Sequence, residues 1–172
     1  IRHTTNSKRP ITRPDELRGL KIRTPPDAMT IDIFTALGAS PTPMAFSELY
    51  IALQQGVVDG QENPLINIYS SKLHEVQPFI SMTAHKYEAT PLLASKMIMD
   101  TLSPEDQQII RDAAAEAGTL NRQMVREQTA TLKAEMEKAG VTFNEVDPAP
   151  FIEATQPVYE KWRGQYPELV DE

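Results

Sequence analysis

The sequence predicts an α/β fold, and three observations carry that expectation. From residue 1 to about residue 83, short apolar runs alternate with short helical windows and are punctuated by Gly and Pro, the rhythm of a strand-and-helix layer. From Pro104 to Lys138 the only breaker after the opening proline is Gly118, so one long helix of roughly 50 Å fits there at 1.5 Å per residue. The 172 residues are 40% hydrophobic and 24% charged, enough to build a core in one domain or two small lobes.

Each element follows from its residues. Leu20-Lys21-Ile22-Arg23 reads as a strand between Gly19 and Pro25-Pro26. Residues 27–37 carry Met29, Ile31, Ile33, Phe34 and Leu37 at helical spacing, and Gly38 supplies a left-handed stop. Ser47 is placed to cap a second helix that runs to Gln55 and closes at Gly56. Val57-Val58-Asp59 reads as a buried strand ending in the Asp59-Gly60 turn, and Pro64 suits a first helical position, with Asn63 at the N-cap before it. Residues 78–83 and 87–95 read as two more strands. Ser103-Pro104-Glu105-Asp106 is a capped start for the long helix, with its acids favoured by the helix dipole and Gly118 its expected bend. Ile109, Ile110, Ala113, Ala117, Leu120, Met124, Leu132 and Met136 form a stripe to bury along it. Gly140 stops that helix, Val141-Thr142-Phe143 reads as a strand, and residues 150–166 as a terminal helix.

Composition excludes several functions. A formal net charge of −7 without a Lys/Arg cluster argues against nucleic-acid binding. The absence of Cys removes disulfides, thiolate metal sites and thiol nucleophiles, and suits either the cytoplasm or a bacterial periplasm. No apolar run approaches the roughly 18 to 20 residues of a membrane span. Ile1-Arg2-His3-Thr4-Thr5 lacks the features of a secretory signal, and the chain is expected to be a processed or truncated piece, so this says nothing about export.

The most informative stretch runs Ser40-Pro41-Thr42-Pro43-Met44-Ala45-Phe46-Ser47-Glu48-Leu49-Tyr50 and on through Ala52-Leu53-Gln54-Gln55-Gly56-Val57-Val58-Asp59-Gly60-Gln61-Glu62-Asn63-Pro64. With the strand Gly19-Leu20-Lys21-Ile22-Arg23, Lys72, Glu75-Val76-Gln77 and Leu102-Ser103-Pro104-Glu105, it resembles the solute-binding proteins of tripartite ATP-independent periplasmic (TRAP) transporters, the DctP family, over nearly the whole chain.

That resemblance implies a periplasmic-binding-protein-like lobe, with the long helix spanning toward a first lobe that should precede Ile1. Residues 1–87 would be the second lobe, 88–127 a segment returning to the first, and 128–172 the rest of the long helix, a strand and a terminal helix packing on the second lobe. The implied function is capture of a small organic carboxylate in the periplasm by hinge closure, and delivery to the membrane permease subunits of the transporter. No enzymatic activity and no cofactor are implied. Arg23 matches the family's carboxylate-gripping Arg, and a guanidinium fork suits two carboxylate oxygens; a surface ion pair is the plainer reading. Asn63 matches a ligand-binding Asn, against a simple cap. Phe46 matches an aromatic that covers the ligand's apolar part, against core packing. Arg2 resembles a second basic contact, and Thr90 falls in a variable segment where some members place another.

Glu62 and Asp59, three residues apart, allow an alternative: an α/β enzyme acting on a small acid, though no third catalytic group is legible. An interaction domain built on the long helix is the other. Gln61-Glu62-Asn63 departs from the Trp-containing segment of cation-assisted members, so no metal is expected; His3, His74 and His85 lack ligand spacing and read as surface or hydrogen-bonding residues. Without its first lobe, the chain is expected to bind weakly, and its 88–127 segment to expose an apolar face, fold differently, or self-associate.

Overall fold

The computed structural model describes residues 1–170. Six strands form one sheet in the order β3-β2-β4-β1-β5-β6. They are β1 (Arg2–Asn6), β2 (Lys21–Thr24), β3 (Ser40–Pro43), β4 (Gly60–Asn63), β5 (Phe79–Lys86) and β6 (Thr142–Glu145). The helices are α1 (Ala28–Ala36), α2 (Leu49–Gln54), α3 (Leu65–Ser70), α4 (Lys96–Met99), α5 (Pro104–Lys138), α6 (Ala149–Gln165) and α7 (Pro167–Val170). The mixed α/β architecture with its long helix is the one expected. No helix among the described residues is long and apolar enough to cross a membrane.

Only β1 runs against the others: it pairs antiparallel with β4 and β5, while β2 is parallel to both β3 and β4, and β5 to β6. The carboxyl ends of five strands therefore share one edge of the sheet with the amino end of β1, the edge where open α/β sheets hold ligands. Successive strand residues face opposite sides. Ile80 accordingly joins the hydrophobic cluster of Leu49, Leu53, Ile68 and Met136 under α2, α3 and the end of α5. Its neighbour Ser81 accepts the Ile11 N–H at 2.9 Å beside the other cluster, Ile11, Leu17, Ile22, Phe34 and Phe151 under α1 and α6. The sheet is thus the middle of three layers.

Several local expectations need correction. β1 was not foreseen because Arg-His-Thr-Thr-Asn is polar; the strand is nevertheless buried throughout and satisfied laterally, Thr4 bonding Thr83 at 3.2 Å and Thr5 donating to Gln77 at 2.8 Å. β3 was also missed, its two prolines being tolerated on an edge strand. Residues 57–59 form a turn, and the strand starts at Gly60, where a Cβ would stand 2.2 Å from the Thr5 carbonyl oxygen; that close approach to β1 requires glycine and sets the register. Ser47 lies inside a 3-10 turn, Phe46–Glu48, that leads into α2. Asn63 remains in β4 opposite His3, so Pro64 becomes the N-cap of α3. The expected strand over 87–95 is an exposed loop with no neighbouring strand to pair with.

The signals at α1 and α5 read true. Asp27 caps α1 by accepting from the Thr30 N–H at 3.1 Å, and Gly38 follows it at φ 84°. The Ser103 hydroxyl oxygen accepts from the Asp106 N–H at 3.1 Å, and α5 continues unbroken through Gly118. Its last turns are anchored by buried Met136. Ile109, Leu120 and Met124 on the expected stripe are exposed.

Candidate functional site

Arg23, Asn63, Arg2 and Lys86 all stand at the shared edge, because β2, β4, β1 and β5 are adjacent and end, or begin, there. Arg23 is 2% exposed. Its Nε and Nη2 donate to the Met44 carbonyl oxygen at 3.1 and 2.8 Å, and its guanidinium carbon lies 5.7 Å from the centre of the Phe46 ring. Met44 and Phe46 follow β3 directly, so the edge strand both holds and covers the guanidinium. Both bonds use one side of the fork. Among the described residues no carboxylate forms an ion pair with Arg23. Burial pulls its pKa below the ordinary arginine value, Glu62 opposes that and Arg2 adds to it; the group remains charged.

Arg2 is in the opposite state. Glu62 grips it bidentately, accepting from Nε at 2.5 Å and Nη2 at 2.7 Å, while Nη1 donates to Glu88. Nη2 also donates to the Asn63 side-chain oxygen at 3.1 Å. Burial would raise the Glu62 carboxyl, but hydrogen bonds from His85 and Arg2 outweigh it and hold the group below the usual carboxylate value. His85 Nε2 lies 3.2 Å from Glu62, its Nδ1 meets Thr83 at 2.8 Å, and its ring stands edge-on to Phe34. Asn63 donates to Gln61 at 2.5 Å and accepts from Asn67 at 3.4 Å. Lys86 closes the arrangement by donating to Asp27 and Thr30, each at 2.9 Å, with Glu88 3.8 Å away. Burial would raise Asp27, but Lys86 and Thr30 bring it down to about 2.

The five residues singled out from the sequence are thus partly assembled. Arg2 bonds Asn63 directly, and Arg23 is stacked with Phe46, which is 45% exposed. Thr90 stands in the exposed loop after β5. Asp59 is at the far end of β4 from Glu62, where it accepts from the Lys21 N–H at 2.9 Å, so the two acids do not form a pair. A groove of about 560 Å³ lies between α3 and α5, lined by Ile66, Tyr69 and Leu132 among others, and includes none of these residues. Sequence reasoning did not place His85, Lys86 and Glu88 at the site, because their bonds to Glu62, Asp27 and Arg2 span 23, 59 and 86 positions and leave no local pattern.

Comparison with known proteins gives this edge its context. Residues 1–165 match the family described as bacterial extracellular solute-binding protein, family 7 (DctP). The chain is 51% identical over 165 residues to the uncharacterized protein y4mM of Sinorhizobium fredii, covering 95% of the chain and 30% of that protein. It is 39% identical to the sialic acid-binding periplasmic protein SiaP of Vibrio cholerae, covering 92% of the chain and 49% of SiaP. A TRAP periplasmic solute-binding protein from Polaromonas sp. JS666, solved with D-erythronate bound, superposes with a TM-score of 0.91 at 40% identity, over 96% of this chain and 55% of that one. The chain therefore spans about half the length, or less, of these relatives. Along almost its full extent, the chain belongs to the DctP family of bacterial extracellular solute-binding proteins.

Proposed function

We propose that the chain is the carboxylate-gripping part of the substrate-binding component of a TRAP transporter, which captures a small organic acid in the periplasm and delivers it to the membrane permease. The observation that carries this reading is Arg23: a buried guanidinium, held by a backbone carbonyl and an aromatic face, with no acid paired to it among the described residues. A buried charge without a counter-ion is costly, and a ligand carboxylate on the unused side of the fork supplies one through charge-assisted bonds. Asn63 lies beside it on the adjoining strand, and Phe46 covers the ligand's apolar part. No covalent step belongs to this function.

Residues 1–87 act as the second lobe, and 88–127 return to the first lobe, whose wall completes the cleft by hinge closure. The exposure of Leu92, Leu93, Met97 and Ile98, with that of Ile109 and Leu120 on α5, supports that division, since apolar residues on this scale mark a covered surface. A chain without that lobe has this surface free for self-association.

Titration calorimetry on the full-length protein with D-erythronate and a panel of other small acids tests the reading. Arg23→Ala is expected to weaken binding at least roughly a hundredfold, as loss of one partner of a buried charge pair does. Undiminished affinity in Arg23→Ala would overturn the proposal.

A further inference from the structure

The two guanidinium groups at this edge differ in one respect that bears on what the site accepts. Arg23 has no carboxylate partner among the described residues, whereas each nitrogen of Arg2 is bonded, Nε and Nη2 to Glu62 and Nη1 to Glu88. The two acids on Arg2 are not equivalent. Glu62 has a fully buried side chain and is bonded by His85 as well. Glu88 leaves 41% of its side chain exposed and sits just past β5, at the boundary with solvent. An anion arriving at Arg2 from outside would need the position that the Glu88 carboxylate already holds.

We infer that Glu88 is a specificity-determining residue that restricts the site to acids with a single carboxylate, by filling with its own carboxylate the second anion place that Arg2 offers. This rests on the reading of Arg23 as the ligand's anchor. β2, β4 and β1 are neighbours at about 4.8 Å spacing, so an acid anchored on Arg23 and lying across Asn63 turns its far end toward Arg2 and Glu88. A hydroxyl or ammonium there donates to Glu88. A second carboxylate meets a like charge, and on Arg2 only the Nη1 hydrogen that Glu88 does not take is left to bond it. The charges agree: contacts run Asp27, Lys86, Glu88, Arg2, Glu62 with alternating sign, and Arg23 completes three cations against three carboxylates. The edge is balanced before a ligand enters, so each added carboxylate leaves it one charge more negative.

The test uses matched acids that differ by oxidation of the far carbon, D-erythronate against meso-tartrate and D-galactonate against galactarate, titrated calorimetrically into the full-length protein. The wild type is expected to favour the monocarboxylate of a bound pair by roughly a hundredfold, as like-charge contacts across a binding interface do. Glu88→Gln, which keeps the shape without the charge, is expected to narrow that ratio at least tenfold, and Glu88→Asp to restore it. Equal binding of both acids by the wild type, or the same ratio in Glu88→Gln, overturns the inference. Arg23→Ala separates the two readings: if it keeps the monocarboxylate, the anchor reading fails, and if it loses both acids while Glu88→Gln leaves the ratio unchanged, only the role of Glu88 fails. Absence of binding by every acid overturns both.

Discussion

Thr24 ends β2 directly after Arg23, fully buried, with a side-chain oxygen that has no hydrogen-bond partner among the described residues. An unmade bond in such a place costs about 1 kcal/mol or more, so Thr24→Val is expected to raise the unfolding temperature by about 2 to 4 °C for a chain of this size; a lower midpoint on thermal unfolding would contradict it. His3, at the centre of the sheet, has its pKa lowered to about 4, first by burial and then by the nearby His85. As a base that stays neutral when folded, it is outcompeted for protons by the unfolded chain between pH 6.5 and 4. Stability should therefore fall on acidification through that window, by on the order of 3 kcal/mol from this group. Urea unfolding at pH 7 and pH 4.5 should show a smaller loss for His3→Gln than for the wild type; equal losses would remove His3 as the cause.

At the scale of elements, legibility followed the locality of the signal. α1 and α5 were readable because their signals lie within a few residues of the turns they serve: Gly38 after Leu37 for α1, Ser103 with Asp106 for α5; the Asp27 cap of α1 was not read. β1 was not, because what makes Arg2-His3-Thr4-Thr5-Asn6 a strand is its partners on β4 and β5 rather than any apolar alternation. The loop at 87–95 failed in the other direction, offering strand-like residues without a strand to receive them. Gly60 is the element-level test. Gly60→Ala would drive a methyl group into the Thr5 carbonyl, and a loss of about 3 kcal/mol is expected in chemical denaturation from the forced separation of β1 and β4. At the site, the family resemblance singled out Arg23, Asn63, Arg2, Phe46 and Thr90, of which Arg23, Asn63 and Arg2 stand together at one edge of the sheet. The clamp of Glu62, Glu88 and His85 was hidden, since it is assembled across three strands.

In the whole molecule, the sheet and its two hydrophobic clusters contrast with the first two-thirds of α5, whose apolar side chains Ile109, Leu120 and Met124 face outward until Leu132 and Met136 pack against the core. Amide hydrogen exchange on the isolated chain is expected to be fast before about residue 128 and protected after it, because helix stability here comes from packing; uniform protection along α5 would count against that division. The reversed central strand carries a kinetic consequence. His3 must meet Asn63, and Thr4 must meet Ser81, so the middle of the sheet can form only after long stretches of chain have been gathered. Such non-local pairing slows folding toward the millisecond-to-second range. Until that strand arrives, β4 and β5 each present an unpaired edge, and this waiting interval is when the nascent molecule is most exposed to aggregation.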